Sequence, residues 1–257
     1  MLSYNLKASN VFKTNSIDVT FGAQGLFQDT ENRGTVFLIP DGKSLENGVY
    51  GLFNLKVNEN LGFQTGLRFD NKRIEADSVE IDGEINFADF DESYSTLNYS
   101  VGAKYSLGDF LVRFNIASGY RAPNASELLS NGEHGGVGRI EVGDQNLDSE
   151  SATQFDLAIN YKNNNGLELS INPFYNKINN YIFISPTGER GEGDLPIFAY
   201  LQQDATLFGG EFNLNYQPVF LPKLVFQTGA ALTYGNDVNN DPLPCLLYTS
   251  PSPRDRG

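Results

Sequence analysis

The chain has 257 residues, a formal net charge of −14, one cysteine and no tryptophan. That charge excludes a nucleic-acid surface of the usual kind, which needs clustered Lys and Arg, and a single cysteine excludes a disulfide framework. The opening MLSYNLKASNVF has no basic and apolar leader. No window holds the roughly 18 apolar residues of a membrane helix, but a membrane β-barrel remains open because it writes only alternating segments of about ten residues.

The 19 Phe, 13 Tyr and 26 Gly favour strands joined by turns, and the alternation follows in chain order. A weak first strand carries Tyr4, Leu6 and Ala8. Ile17, Val19, Phe21 and Ala23 form the next apolar row, then Val49, Gly51, Phe53, Leu55 and Val57, then Leu61, Phe63, Leu67 and Phe69. Leu97 to Tyr105, Phe110 to Ile116, Phe155 to Tyr161 and Leu167 to Ile171 repeat the pattern. Phe208 to Tyr216 and Leu224 to Leu232 complete ten segments of period two. Such a set predicts an antiparallel sheet with two unlike faces.

The connections alternate in length. KTN (13–15), NEN (58–60), LGD (107–109), KNNNG (162–166) and QPVFLP (217–222) are short, while roughly 28–46, 72–94, 118–150 and 178–198 are long. An up-and-down meander places alternate connections at opposite ends, so one end has tight turns and the other long loops, the pattern of an outer-membrane barrel. A soluble sandwich would show Greek-key connections instead. Lys56, Arg68, Lys104, Arg113, Asp156, Glu168 and Glu211 recur mid-strand on the polar face. A small barrel packs its interior with side chains, so charges there imply a large, polar lumen and an apolar face turned to lipid. The expectation is an all-β, antiparallel, up-and-down transmembrane β-barrel, present in part, with two unpaired sheet edges.

Residues 118–132, SGYRAPNASELLSNG, interrupt the strand pattern. Pro123 disfavours helix at Ala122, so the chain leaves the strand extended. Asn124-x-x-Glu127 reads as a capping box and Gly132 as a stop, which predicts a short helix from about Ala125 to Ser130. Arg121 is then held near the rim, where it and Glu127 are expected to pair with neighbouring-wall groups or with another domain. An ordinary loop anchor with a solvated Arg fits the same residues.

Tyr120, Arg121, Ala122, Pro123 and Asn124, followed by Glu127 and Leu128, resemble a pattern in the barrels of TonB-dependent outer-membrane receptors. Gly143, Asp144, Gln145, Asn146 and Leu147, with Glu150 and Asp156, continue the resemblance, Gln145 standing where the family usually has proline. INPFYNKINNYI (171–182) and ATLFGGEFNLNYQP (205–218) also fit. The resemblance covers most of residues 49–234 and implies a receptor in the bacterial outer membrane. It implies import of a scarce solute (a metal–siderophore, vitamin or glycan), gated by a plug domain and driven by the TonB complex through an N-terminal region that would precede residue 1. Tyr120, Arg121, Pro123, Asn124 and Glu127 are then candidate contacts to plug or wall. A passive porin-like or adhesin barrel is the alternative, since it shares the strand pattern but requires neither plug nor motif.

Other signals are weaker. His134 lies beside Glu133 in a Gly-rich loop, near Glu141 and Asp144. One histidine is poor evidence for zinc, which prefers several N or S ligands, and a solvated loop histidine is favoured. No cofactor site is expected. DVNND (237–241) imitates a calcium loop, but Pro242 stands where glycine is required. No G-x-S-x-G elbow exists and His134 is the only candidate triad base, so an enzyme is not expected. The carboxylates of 75–92 read as a solvated hairpin, and SPTGERGEGDLP (185–196) as a mobile loop. Finally, CLLYTSPSPRD (245–255) resembles a translated sequencing-library adapter. The expected organisation is a partial barrel over 1–244 and a non-native tail over 245–257. Without that tail the charge is −14 − 1 = −15, because Arg254, Asp255 and Arg256 together contribute +1.

Overall fold

A computed structural model describes residues 2–32, 38–81 and 83–243. The expected ten wall strands are all present: β1 (Leu2–Lys13), β2 (Ile17–Thr30), β3 (Gly42–Lys56), β4 (Leu61–Ala76), β7 (Phe90–Leu107), β8 (Phe110–Arg121), β11 (Glu150–Lys162), β12 (Leu167–Arg190), β13 (Pro196–Tyr216) and β14 (Phe226–Asp237). Each wall strand pairs antiparallel with the next. Four short strands lie in long connections: the β5–β6 hairpin (Val79–Ile81, Glu84–Phe87), and β9 (Asn131–His134) with β10 (Arg139–Val142). Strands β9 and β10 join the wall sheet, and the β5–β6 pair stands apart. Among the described residues the wall is open. Strand β1 pairs only with β2, and the outer side of β14 carries only the bridge of Asn236 with Pro242. The tail at 245–257 lies outside the described residues.

The register carries one apolar face across the sheet. Val19 pairs with Phe53, Val49 with Phe69, Leu67 with Tyr99, Val101 with Ile116, and Phe155 with both Ile116 and Tyr175. Tyr175 pairs with Phe208, and Phe208 with Tyr234. Directly opposed residues share a face, so these rows form one continuous surface. Its members are unusually bare for large apolar side chains, Leu67 at 59% and Leu97 at 64% exposure. From Leu61 to Phe69 or Leu167 to Tyr175, a rise of about 3.3 Å per residue at a tilt of about 40° covers about 20 Å, most of an outer-membrane apolar band. The opposite face holds the expected charges: Lys104 pairs with Gly62 and Arg113, and Lys162 reaches Glu168 across β11 and β12.

At the short-turn end three of the turns close on their own side chains. The Asn58 carboxamide oxygen accepts from the Asn60 and Leu61 N–H groups at 2.8 Å, and Asn163 does the same for Asn165 and Leu167. Thr14 Oγ1 accepts from Ser16 and Ile17. Gly108, at φ 55°, supplies the left-handed residue of the two-residue turn between β7 and β8.

At the other end the strands run further than alternation predicts. The expected loop at 178–198, including the mobile segment at 185–196, is largely the upper part of the β12–β13 hairpin, which turns only at 191–195. In this upper part Ile182 and Tyr200 join a buried cluster while residues 186–190 are exposed, so the period-two signal fades while the backbone ladder continues. A register slip between Ile178 and Tyr181, with Asn180 at φ 57°, marks where the hairpin leaves the wall pattern. The neighbouring β14 stops lower. Asp237 accepts from the Asn239 and Asp241 N–H groups at 2.8 Å and reverses the chain there, so DVNND is a tight turn. The edge of β13 above β14 is covered instead by β10, which pairs with it in parallel from Ile140 to Val142.

Candidate functional site

The buried cluster of this protein lies under the segment that interrupts the strands. Leu128, Leu129 and Leu147 pack with Ile74, Ala76, Phe90 and Ile182, and Tyr94 and Tyr200 lean on the same cluster. Four wall strands therefore share one small apolar core with the connection between β8 and β11. Burying those side chains is what holds the connection against the wall.

The corner is built as its residues dictate. Helix α1 runs from Ala125 to Leu129, with Asn124 extended at its N-cap. The Asn124 side chain accepts from the Glu127 N–H at 3.0 Å, and Glu127 Oε2 accepts from the Asn124 N–H at 2.8 Å, so the capping box forms on both sides. The helix does not stop at Gly132. It ends at Ser130, which turns extended, and Gly132 belongs to β9 opposite Glu141. A strand partner took the chain before a glycine stop was needed. Gly143 is required for a different reason: a Cβ there would lie 2.6 Å from the Leu128 carbonyl carbon. The chain crosses the helix at that point, with Gly143 N–H donating to the Ser130 carbonyl and Asp144 N–H to that of Glu127.

Arg121 is the centre of the charge arrangement. Its Nε and Nη2 donate to the two Glu150 oxygens at 2.7 Å, and Nη1 donates to both Glu127 oxygens at 2.9 and 2.8 Å. Glu150 opens β11 directly opposite Arg121 and also accepts the Ile182 N–H at 2.6 Å. One guanidinium thus ties together β8, α1, β11 and, through Glu150, β12. Arg121 and Glu127 thus find their partners within this chain. Tyr120 hydroxyl accepts from Ser149 Oγ at 2.8 Å. Tyr120 and Arg121 also line a cleft of about 330 Å³ with the ion pair of Arg68 and Asp70 and with Lys72 and Asn98. Pro123 is fully buried at the base of the corner.

A second polar knot closes the same connection. Glu141 is buried at 2% exposure, and its Oε1 accepts from His134 Nδ1 at 2.8 Å and from Arg139 Nε at 2.7 Å. Tyr200 hydroxyl donates to Oε2 at 3.3 Å, and the Arg139 guanidinium lies over the Phe198 ring. Burial pushes the Glu141 carboxyl up, but the bonds from His134 and Arg139 outweigh it and hold the carboxyl below its ordinary value. His134 therefore meets Glu141 but not Asp144, whose carboxylate accepts from Asn146. Among the described residues no group of three or more His, Cys, Asp and Glu is placed to hold a metal ion. Sequence reading missed the Arg139–Glu141–Tyr200 set. An alternation of charged residues in RIEV was its only local trace.

The connection also reaches the other long loops. Asn131 N–H donates to the Leu38 carbonyl, and its carboxamide donates to Asn86. Gln202 donates to the Asp148 and Asn180 carbonyls. In the acidic hairpin region Arg73 grips both Asp91 oxygens and Glu75, so part of that charge is neutralised internally.

The wall thus has one bare apolar face and one charged face, with a long connection fastened across four of its strands. The family model described as "TonB dependent receptor-like, beta-barrel" matches residues 2–255. The chain belongs to the TonB-dependent receptor family. Members of this family are outer-membrane receptors rather than enzymes. Similar solved structures include the copper transporter OprC, at 15% identity and a TM-score of 0.76 over 94% of this chain and 39% of that one. The siderophore receptor PirA from Pseudomonas aeruginosa matches at 22% identity and 0.68, over 91% of this chain and 42% of its own. A double mutant of the Serratia marcescens hemophore receptor HasR, in complex with its hemophore HasA and heme, matches at 16% and 0.67, over 92% and 41%. At these identities the likeness is one of fold. This TonB-dependent receptor chain spans about two fifths of the length of each.

Proposed function

We propose that this chain is wall and mouth of a receptor for active, TonB-coupled uptake of a scarce solute across the bacterial outer membrane. A metal–siderophore, a vitamin or a glycan is the class of cargo. The reading is carried by the Arg121 corner, because it ties the 122–149 connection to several wall strands just above the polar lumen. A long connection fastened in place at the mouth suits a gated, selective receptor. The copper, siderophore and hemophore receptors among the structural neighbours support a metal-bearing cargo within that class. The lumen-facing charges suit a plug domain with matching polar groups, and coupling would run through that domain to the TonB complex. The test is uptake by cells carrying the full-length gene under metal or nutrient limitation, with and without TonB. Uptake that needs TonB supports the proposal. Equal uptake without TonB returns the passive pore.

A further inference from the structure

The five connections at the short-turn end are not alike. Four are short and mainly polar: Thr14–Ser16, Val57–Asn60 with Val57 as its one exposed apolar residue, Gly108–Asp109 and Asn163–Gly166, and Thr14, Asn58 and Asn163 cap three of them. The fifth, between β13 and β14, is longer and reads QPVFLPKLV. Its apolar side chains are bare, with Phe220 at 77% exposure and Val219 at 66%, and Leu221, Leu224 and Val225 also exposed. The segment is nevertheless ordered. Leu221 N–H donates to the Pro218 carbonyl and Leu224 N–H to that of Leu221, both at 2.9 Å, and Gln217 Nε2 donates to the Pro222 carbonyl at 2.7 Å. A folded turn that holds large apolar groups in the open is unfavourable in water and calls for a partner.

We infer that this turn dips into the lipid interface of the membrane's short-turn side and anchors the wall there. Continuity with the wall favours lipid as that partner. Tyr216 and Phe226 pair across β13 and β14 immediately beside the turn, on the same face as Leu214, Phe212 and Phe208. Through Phe226, Val225 and Leu224 the apolar residues continue from the wall into the turn without a polar break, and Val219, Phe220 and Leu221 follow on the other arm after Gln217 and Pro218. Lys223, in the same turn, is placed to meet an anionic headgroup while its stem lies along the apolar groups. Elsewhere the polar turns end the band within a residue or two of the strand. The inference rests on the wall being a membrane barrel, and the test separates the two.

The full-length protein, with any other cysteine replaced, is given one new cysteine at a time and labelled with an environment-sensitive fluorophore in phosphatidylglycerol-containing vesicles. Three positions are compared: Phe220→Cys in the apolar turn, Glu59→Cys in a polar turn, and Leu67→Cys on the apolar wall. Heat-modifiable migration on gels confirms that each variant is folded. A lipid anchor gives at least twofold quenching by acyl-chain nitroxide lipids at 220 and 67, a blue-shifted emission at both, and no lipid quenching at 59. Quenching at 67 with only soluble iodide reaching 220 overturns the anchor and leaves the barrel standing. Protection of 220 from both quenchers also overturns it, since protein then covers the turn. Lack of lipid quenching at 67 removes the barrel reading and the anchor together.

Discussion

Replacing Arg121 by alanine would leave the Glu127 and Glu150 carboxylates beside each other with no cation between them. Both carboxylates are mostly buried, at 11% and 13% side-chain exposure, whereas Arg121 is 42% exposed. Stripping one partner from a buried pair costs about 3–5 kcal/mol, and discounting for the water that already reaches Arg121 leaves about 2 kcal/mol. The wall ladder does not depend on this side chain, so the loss falls on the docking of the 122–149 connection. At 1.4 kcal/mol per decade, that is about 30-fold faster hydrogen exchange through local opening. Hydrogen exchange on the detergent-solubilised full-length protein reads it at the Leu128, Ser130 and Asp144 amides, which donate within the corner. The β8–β11 amides serve as the reference. Arg121→Lys keeps the charge but cannot fork to two carboxylates, and falls between wild type and alanine. Less than a threefold change in the corner, or equal acceleration in the wall, would refute the assignment of Arg121 as the tie.

Asn124→Ala removes one side of the capping box and loosens the same amides by about 1 kcal/mol, while Asn124→Asp stays close to wild type; exchange at Glu127 decides it. Gly143→Ala forces a methyl against the Leu128 backbone, at about 1–3 kcal/mol, and is expected to speed limited proteolysis within 131–149 without changing heat-modifiable migration. Glu141 provides a pH prediction. Its folded carboxyl lies below the ordinary value, so its contribution is complete above about pH 4.3 and is lost as pH falls through the folded value. Proteolysis protection of the β9–β10 hairpin should decline over that acidic window, and Glu141→Gln should loosen the hairpin at neutral pH while losing this acid dependence. Leu67→Arg, near the middle of the apolar band, should cost about 2–4 kcal/mol in folding into vesicles. Gln64→Arg on the lumen face should cost far less; equal effects at both positions would contradict the facing of β4.

Alternation was enough to place all ten wall strands, because the sheet keeps two unlike faces, one apolar and bare and one charged, along the wall. For the same reason the polar row from Lys56 to Glu211 and the lengths of the turns were legible. So was the Asn124–Glu127 capping box, a contact between residues three apart whose geometry is local. The strand ends were not legible, since the upper parts of β12 and β13 are partly exposed and partly packed, through Ile182 and Tyr200, against the 122–149 connection, and the simple period carries no information there.

The partners of the corner were also out of reach. Arg121 and Glu127 stood out as a motif, but Glu150 became the second acceptor only because β11 pairs with β8 in a register that sets the two residues opposite each other. Glu141, Arg139 and Tyr200 meet only because β10 is laid in parallel on the part of β13 that β14 does not reach. Gly132 read as a helix stop and became a strand residue, since pairing with Glu141 offered its backbone a ladder. Local chemistry therefore determined the strands, the tight turns and the helix start. Long-range register, which depends on where the neighbouring strands end, decided which charges the corner gathers and what the long connection is fastened to.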